Sequence, residues 1–174
     1  MSEPRRNAAA LPPDMTADTA SRIADIAAEA ITGIDPHTGL ASDFLNQFNE
    51  VLMLLEVVGN DPDLGRHLHG WRPRGYVEHF ETSHLRDSAL VIEAYALCPV
   101  SVRRRFDRLS ADLSAFILNG LADLRLIDGE AAQDARRTLA ERIFRRVESL
   151  SAIIHPAERR FDNDTISALF GHVR

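Results

Sequence analysis

No lysine occurs in this chain of 174 residues; all 20 basic side chains are arginine. That absence removes Schiff-base chemistry and the lysine grip on phosphate. Cysteine is nearly as scarce. With Cys98 alone, no intramolecular disulfide can form, and nothing points to an oxidising compartment. Cys98 precedes Pro99 and has no His or Asp spaced to activate it, so it reads as a small apolar residue at a helix end. Basic excess is missing too. At a net charge of −6 the chain lacks the basic face that neutralises phosphate, which argues against a nucleic-acid partner. Nor is there a long apolar run. The longest, VLMLLEVV, is interrupted by Glu56 and is far too short to span a bilayer. The opening MSEPRRNAAALPPDM has basic residues but no apolar stretch of signal-peptide length. These absences predict a cytoplasmic protein with no membrane role.

What is present is helical patterning. Hydrophobic residues make up 45% of the chain, ordinary for a globular protein, and the length suits one domain. Residues 1–15, rich in Ala and Pro, read as a mobile arm. Residues 16–155 read as a helical bundle domain, and 156–174 as a linker with a short amphipathic helix. Thr16 or Asp18 caps a first helix that carries Ile23, Ile26, Ala27, Ala30 and Ile31 on one stripe and stops at Gly33. IDPHTGL is turn chemistry. Ser42 is placed to cap a helix over 43–58, and Asp61-Pro62 opens a short one that ends near Gly70. WRPRG connects to helical patterning from Tyr76, and again over 87–97, until Pro99 breaks it.

The strongest periodicity lies further on. Val102, Phe106, Leu109, Leu113, Phe116, Ile117, Leu121 and Leu124 recur at helical spacing, and after Asp128-Gly129 so do Ala135, Leu139, Ile143, Val147, Leu150 and Ile154. Two helices over about 100–126 and 129–154 joined by a short turn predict an antiparallel hairpin. The fold class is therefore all-α, a bundle of six or seven helices built on that hairpin.

Residues 67–85, HLHGWRPRGYVEHFETSHL, hold four of the seven histidines and the only tryptophan. Glu81 and His84 have the Glu-x-x-His spacing of carboxylate-bridged metal bundles, where i and i+3 share a face. No second copy exists, so Glu81 and His84 stand as an alternative metal pair and the favoured expectation is no metal and no cofactor. His67 and His69, two apart, diverge on a helix. Trp71 in its Arg- and Pro-rich connector reads as a plug for the end of a bundle, its indole N–H satisfied by a carbonyl.

A more specific pattern lies in SDFLNQFNEVLMLLEVV. Phe44, Leu45, Phe48, Val51, Leu52 and Leu55 form an apolar stripe, and Asp43, Asn46, Gln47 and Glu50 gather opposite, joined by Met53 and Val57. A helix with one apolar and one mixed face is either covered by neighbours or docks a partner. Asp43 and Gln47, one turn apart, resemble the Asp-x-x-x-Gln pair of the CheZ-type chemotaxis phosphatases. That resemblance implies a glutamine amide positioning water for attack on the aspartyl phosphate of a receiver domain, with the acid pairing to a receiver lysine. Phosphoryl transfer needs mainly positioning and charge complementarity. The stretch DNDTISALFG is similar to the acidic, then Ile-x-x-Leu-Phe segment by which CheZ and the flagellar switch protein FliM grip such a receiver. Together these imply a bacterial signalling module with Asp43 and Gln47 as a catalytic pair and Asn46, Glu50, Ile166, Leu169 and Phe170 as partner contacts. The rival reading is a His/carboxylate bundle that binds a metal or another ligand. Self-association through helix surfaces is compatible with either.

Overall fold

The computed structural model describes residues 12–59 and 61–156. Among them are seven α-helices: α1 (Ala17–Glu29), α2 (Asn46–Val57), α3 (Pro62–Gly70), α4 (Tyr76–Glu81), α5 (Ser88–Leu97), α6 (Val100–Leu124) and α7 (Gly129–Ile154). A 3-10 turn, Ser42–Leu45, leads into α2. The only extended pairing among these residues is one antiparallel bridge, Ile34 to Ala41. The protein is an all-α helical bundle.

The hairpin is its frame. α6 and α7 pack along each other, and α2 lies on α7. Phe106, Leu113, Ile117, Leu121, Leu139, Ile143, Val147 and Leu150 are buried in one contiguous core with Phe44, Phe48, Val51 and Leu55. Val102 and Leu109 sit half-buried at its margin. The turn is Arg125 to Asp128, with Gly129 at φ +65° opening α7, a left-handed backbone that glycine adopts without cost from a Cβ.

Capping explains several helix starts. The Thr16 hydroxyl accepts from Thr19 N at 3.2 Å, and the Asp61 carboxylate accepts from Asp63 N and Leu64 N, each satisfying donors the first turn leaves free. Ser42 makes no such bond. The start of α6 is capped from a distance. Asp14 accepts from both the backbone N and the hydroxyl of Ser101, at 2.7 and 2.9 Å, and Met15 is buried beside it. The end of the presumed arm is thus fastened to the bundle; residues 1–11 lie outside the described part of the chain.

Two corrections concern the first helix. It stops at Glu29, not Gly33, because the chain turns extended at Ala30. Thr32 then donates its backbone N and hydroxyl to the Asp87 carboxylate at 2.6 and 2.7 Å. Ile31, expected in the buried stripe, consequently points outward and is 85% exposed. The turn that follows is built around Asp35. One of its oxygens accepts from His37 N and Thr38 N. Asp35 N and Leu40 O, and Gly39 N and Asp35 O, close the turn. This turn receives the end of α7: the Thr38 hydroxyl donates to Ile154 O at 2.9 Å, and His155 Nδ1 lies 3.3 Å from Asp35.

Candidate functional site

Gln47 holds the centre of the polar helix face, and it is spoken for. Its amide oxygen accepts from Arg74 N at 3.0 Å and its amide nitrogen donates to Arg74 O at 3.2 Å, the pairing a neighbouring strand would make. Its backbone carbonyl accepts the Trp71 indole N–H at 3.1 Å, and Trp71 is buried against Phe48. The connector WRPRG is thereby sewn onto α2, and the expectation of a tryptophan plug with a satisfied N–H holds. The expectation that Gln47 is accessible does not; it is 4% exposed. A buried amide must pair its oxygen and nitrogen with something, and here both go to Arg74, so neither is free to orient an attacking water.

This burial also divides the other polar residues of the face. Asp43, half-buried and 3.4 Å from the Asn46 amide nitrogen, lines an open hollow of about 480 Å³ with Thr32, His84, Arg86 and Asp87. Glu50 lines a different one, of about 790 Å³, with Arg66, His67, Trp71, Arg72 and Arg74. Asn46 is exposed. Asp43 and Gln47 are one turn apart, as expected, but they do not form a pair open to one substrate. Ile166, Leu169 and Phe170 lie outside the described residues.

The histidine-rich segment is mostly scaffold. His79 packs edge-on against Phe44 and Phe80. Its buried Nδ1 and that of His69 have no hydrogen-bond partner among the described residues. Glu81 is the last residue of α4 and Thr82 its cap, so His84 lies beyond the helix and the i, i+3 geometry of a ligand pair is not realised. Glu93, on α5, is paired with Arg22 at 2.6 Å. Among the described residues no group of three or more His, Cys, Asp and Glu side chains is placed to hold a metal ion. Cys98 is buried, and burial pushes its thiol up to about 12, which leaves it an unreactive packing residue.

These two imidazoles give a pH dependence. Burial first, and the nearby Arg74 guanidinium second, hold His79 below its ordinary value of 6.5; Asp43 pulls weakly the other way. Burial and Arg125 do the same to His69. The folded chain protonates these rings less readily than the unfolded chain, which takes up protons near 6.5, so their contribution is full above that pH and declines as pH falls below it. The urea midpoint should therefore decline between pH 7 and 5.5, and His79→Phe should flatten the decline. A midpoint that is constant or rises over that interval contradicts this account.

One surface was not identified as a site in the sequence. Leu52 and Met53 of α2 face Ala140 and Phe144 of α7 across an open cleft of about 890 Å³, rimmed by Glu56, Gln133, Arg136, Arg137, Glu141 and Arg145. Met53 and Phe144 are more than half exposed, as is Val57 one turn further on. The signals were Met53 and Val57 on the polar side of α2 and Phe144 one residue off the buried stripe of α7. No family model matches the chain, and no curated protein or solved structure matches it significantly. Among the described residues no helix is long and apolar enough to cross a membrane.

Proposed function

We propose that this chain is a helical protein-interaction module whose C-terminal segment, residues 163–174, binds a receiver domain without dephosphorylating it. The observation that carries the reading is how α7 ends. Ile153 and Ile154 are buried, the Ile154 carbonyl is taken by Thr38, and His155 lies against Asp35. The core is contiguous up to that point, and the sequence beyond it supplies an apolar edge, Ile166, Leu169 and Phe170, suited to recognition. Such an edge, at i, i+3 and i+4 on a segment too short to be stable alone, suits the helix-in-groove mode. The acidic residues Asp162 and Asp164 ahead of it complement the positive end of a helix dipole. The rest of the resemblance to the phosphatases is weakened by Gln47, whose amide is held by Arg74.

The full chain, a chain ending at residue 162 and a Gln47→Ala variant should be compared on a panel of receiver domains. Truncation should eliminate binding and lower Tm by no more than about 3 °C, a change of order 1 kcal/mol for a chain of this size. Gln47→Ala should lower stability by about 1–3 kcal/mol, since it leaves both backbone groups of Arg74 unpaired, and should leave receiver affinity unchanged. If no receiver binds, the partner is wrong. If the intact chain accelerates loss of the aspartyl phosphate and Gln47→Ala alone abolishes it, the amide is catalytic after all.

A further inference from the structure

We propose that the same C-terminal segment has a seat on its own chain, the cleft between α2 and α7, so that the seated segment and a receiver compete. The inference rests on reading residues 163–174 as a docking peptide, but not on which receiver they find.

Three observations select this occupant. The first is chemical. The cleft has an apolar floor, with Met53 and Phe144 exposed at 56% and 53% and Ala140 between the walls. The segment offers Ile166, Leu169 and Phe170 on one edge.

The second is charge. Three arginines against Glu56 and Glu141 leave the rim at +1. Among the described residues Arg137 pairs with Asp134, whereas Arg136 and Arg145 reach no carboxylate. A helix running antiparallel to α7 sets Asp162 and Asp164 beside Arg145 and its own negative, C-terminal end beside Arg136.

The third is reach. Ile154 lies nine residues past Arg145 on α7, about 14 Å along the axis. Beyond His155, which lies against Asp35, and Pro156, the six residues 157–162 span up to about 21 Å when extended, enough for that return and a sideways step of about 10 Å to a neighbouring helix axis. Twelve residues as a helix are about 18 Å long, which matches the stretch of α7 from Phe144 back to Gln133.

A short tether also decides between this segment and a second copy of the chain. A six-residue linker holds the segment at an effective concentration in the millimolar range, far above that of free copies at micromolar protein. The seat is then filled first from within. Receiver affinity is reduced by the fraction of chains whose segment is seated, and anything that disturbs the cleft releases the segment.

Amide hydrogen exchange on the full chain tests this without any receiver. Backbone amides within 163–171 should exchange at least tenfold more slowly than in a synthetic peptide of residues 161–174. Phe144→Asp and Phe170→Asp should each bring them to within about twofold of the peptide. Arg145→Glu should do so in part, and Met53→Asp, on the opposite wall, serves if Phe144→Asp perturbs the fold. Exchange at the peptide's rate in the unaltered chain overturns the seat. So does protection that survives both Phe144→Asp and Met53→Asp, or protection that grows with protein concentration, which would mean a second copy. Receiver titration is read separately. Phe144→Asp should tighten receiver binding at least about fivefold, whereas protection that responds to the cleft variants without any receiver binding supports the seat and removes only the receiver.

Discussion

Phe44→Ala should lower stability by about 3–5 kcal/mol, the range for deleting a large aromatic side chain from a packed core. The residue precedes α2 in a 3-10 turn and is 1% exposed, yet its ring touches three helices. Its centroid lies 5.8 Å from Phe48 of α2, 5.2 Å from Tyr76 and 5.5 Å from His79 of α4, and 5.3 Å from Phe106 of α6. Each aromatic pair adds to the area term, and no single neighbour can move to fill a void that three helices enclose. The hydroxyl of Tyr76 accepts from Ala41 N at 2.7 Å, so slackening at Phe44 also loosens the turn before it. Urea unfolding should show the midpoint fall by roughly 40% for a domain of about 10 kcal/mol, with an unchanged slope. Ile31→Ala is the matched control: that side chain is 85% exposed and its loss should cost no more than about 0.5 kcal/mol. A Phe44→Ala cost below about 1 kcal/mol would show that the aromatic cluster is not the centre of the bundle.

Gly39→Ala should cost about 3 kcal/mol, for two reasons that can be separated. Gly39 has φ +74°, where a Cβ costs roughly 1–2 kcal/mol. A Cβ there would also lie 2.6 Å from the carbonyl oxygen of Ala94, in the buried face of α5. That oxygen belongs to helix backbone and cannot swing aside as a side-chain tip can, so relief requires shifting α5 or the turn, a further ~1–3 kcal/mol. Gly129 provides the comparison. It too has positive φ, at +65°, but nothing lies within 4 Å of its added Cβ, so Gly129→Ala should show the conformational part alone. The difference between the two variants measures how tightly the turn of residues 34–41 is pressed onto α5. Equal costs would mean that the turn stands off.

Much of the fold was legible because it depends on neighbours in sequence. The 3.6-residue recurrence of Phe106, Leu113, Ile117, Leu139, Ile143 and Val147 dictates which face of α6 and of α7 is buried, and two such faces a short turn apart must cover each other. Thr16 and Asp61 cap helices because their partners lie two or three residues on. Trp71 next to an Arg- and Pro-rich connector needed a carbonyl for its indole, and found one. Tertiary structure decided what local pattern leaves open. Gln47 reads as polar and therefore exposed, and only the return of Arg74, 27 residues later, turns its amide into a buried clamp and separates Asp43 from Glu50. Ile31 belongs by spacing to a buried stripe, but Asp87, 55 residues away, draws Thr32 out of the helix and turns Ile31 to solvent. Asp14 becomes a cap for α6 from 87 residues away. Met53 and Phe144 are unremarkable in their own helices and become the floor of a cleft only when α2 is laid on α7. In each case local geometry sets a residue's periodic position, while a partner distant in sequence decides whether its polar atoms are satisfied inside or its apolar surface is left uncovered.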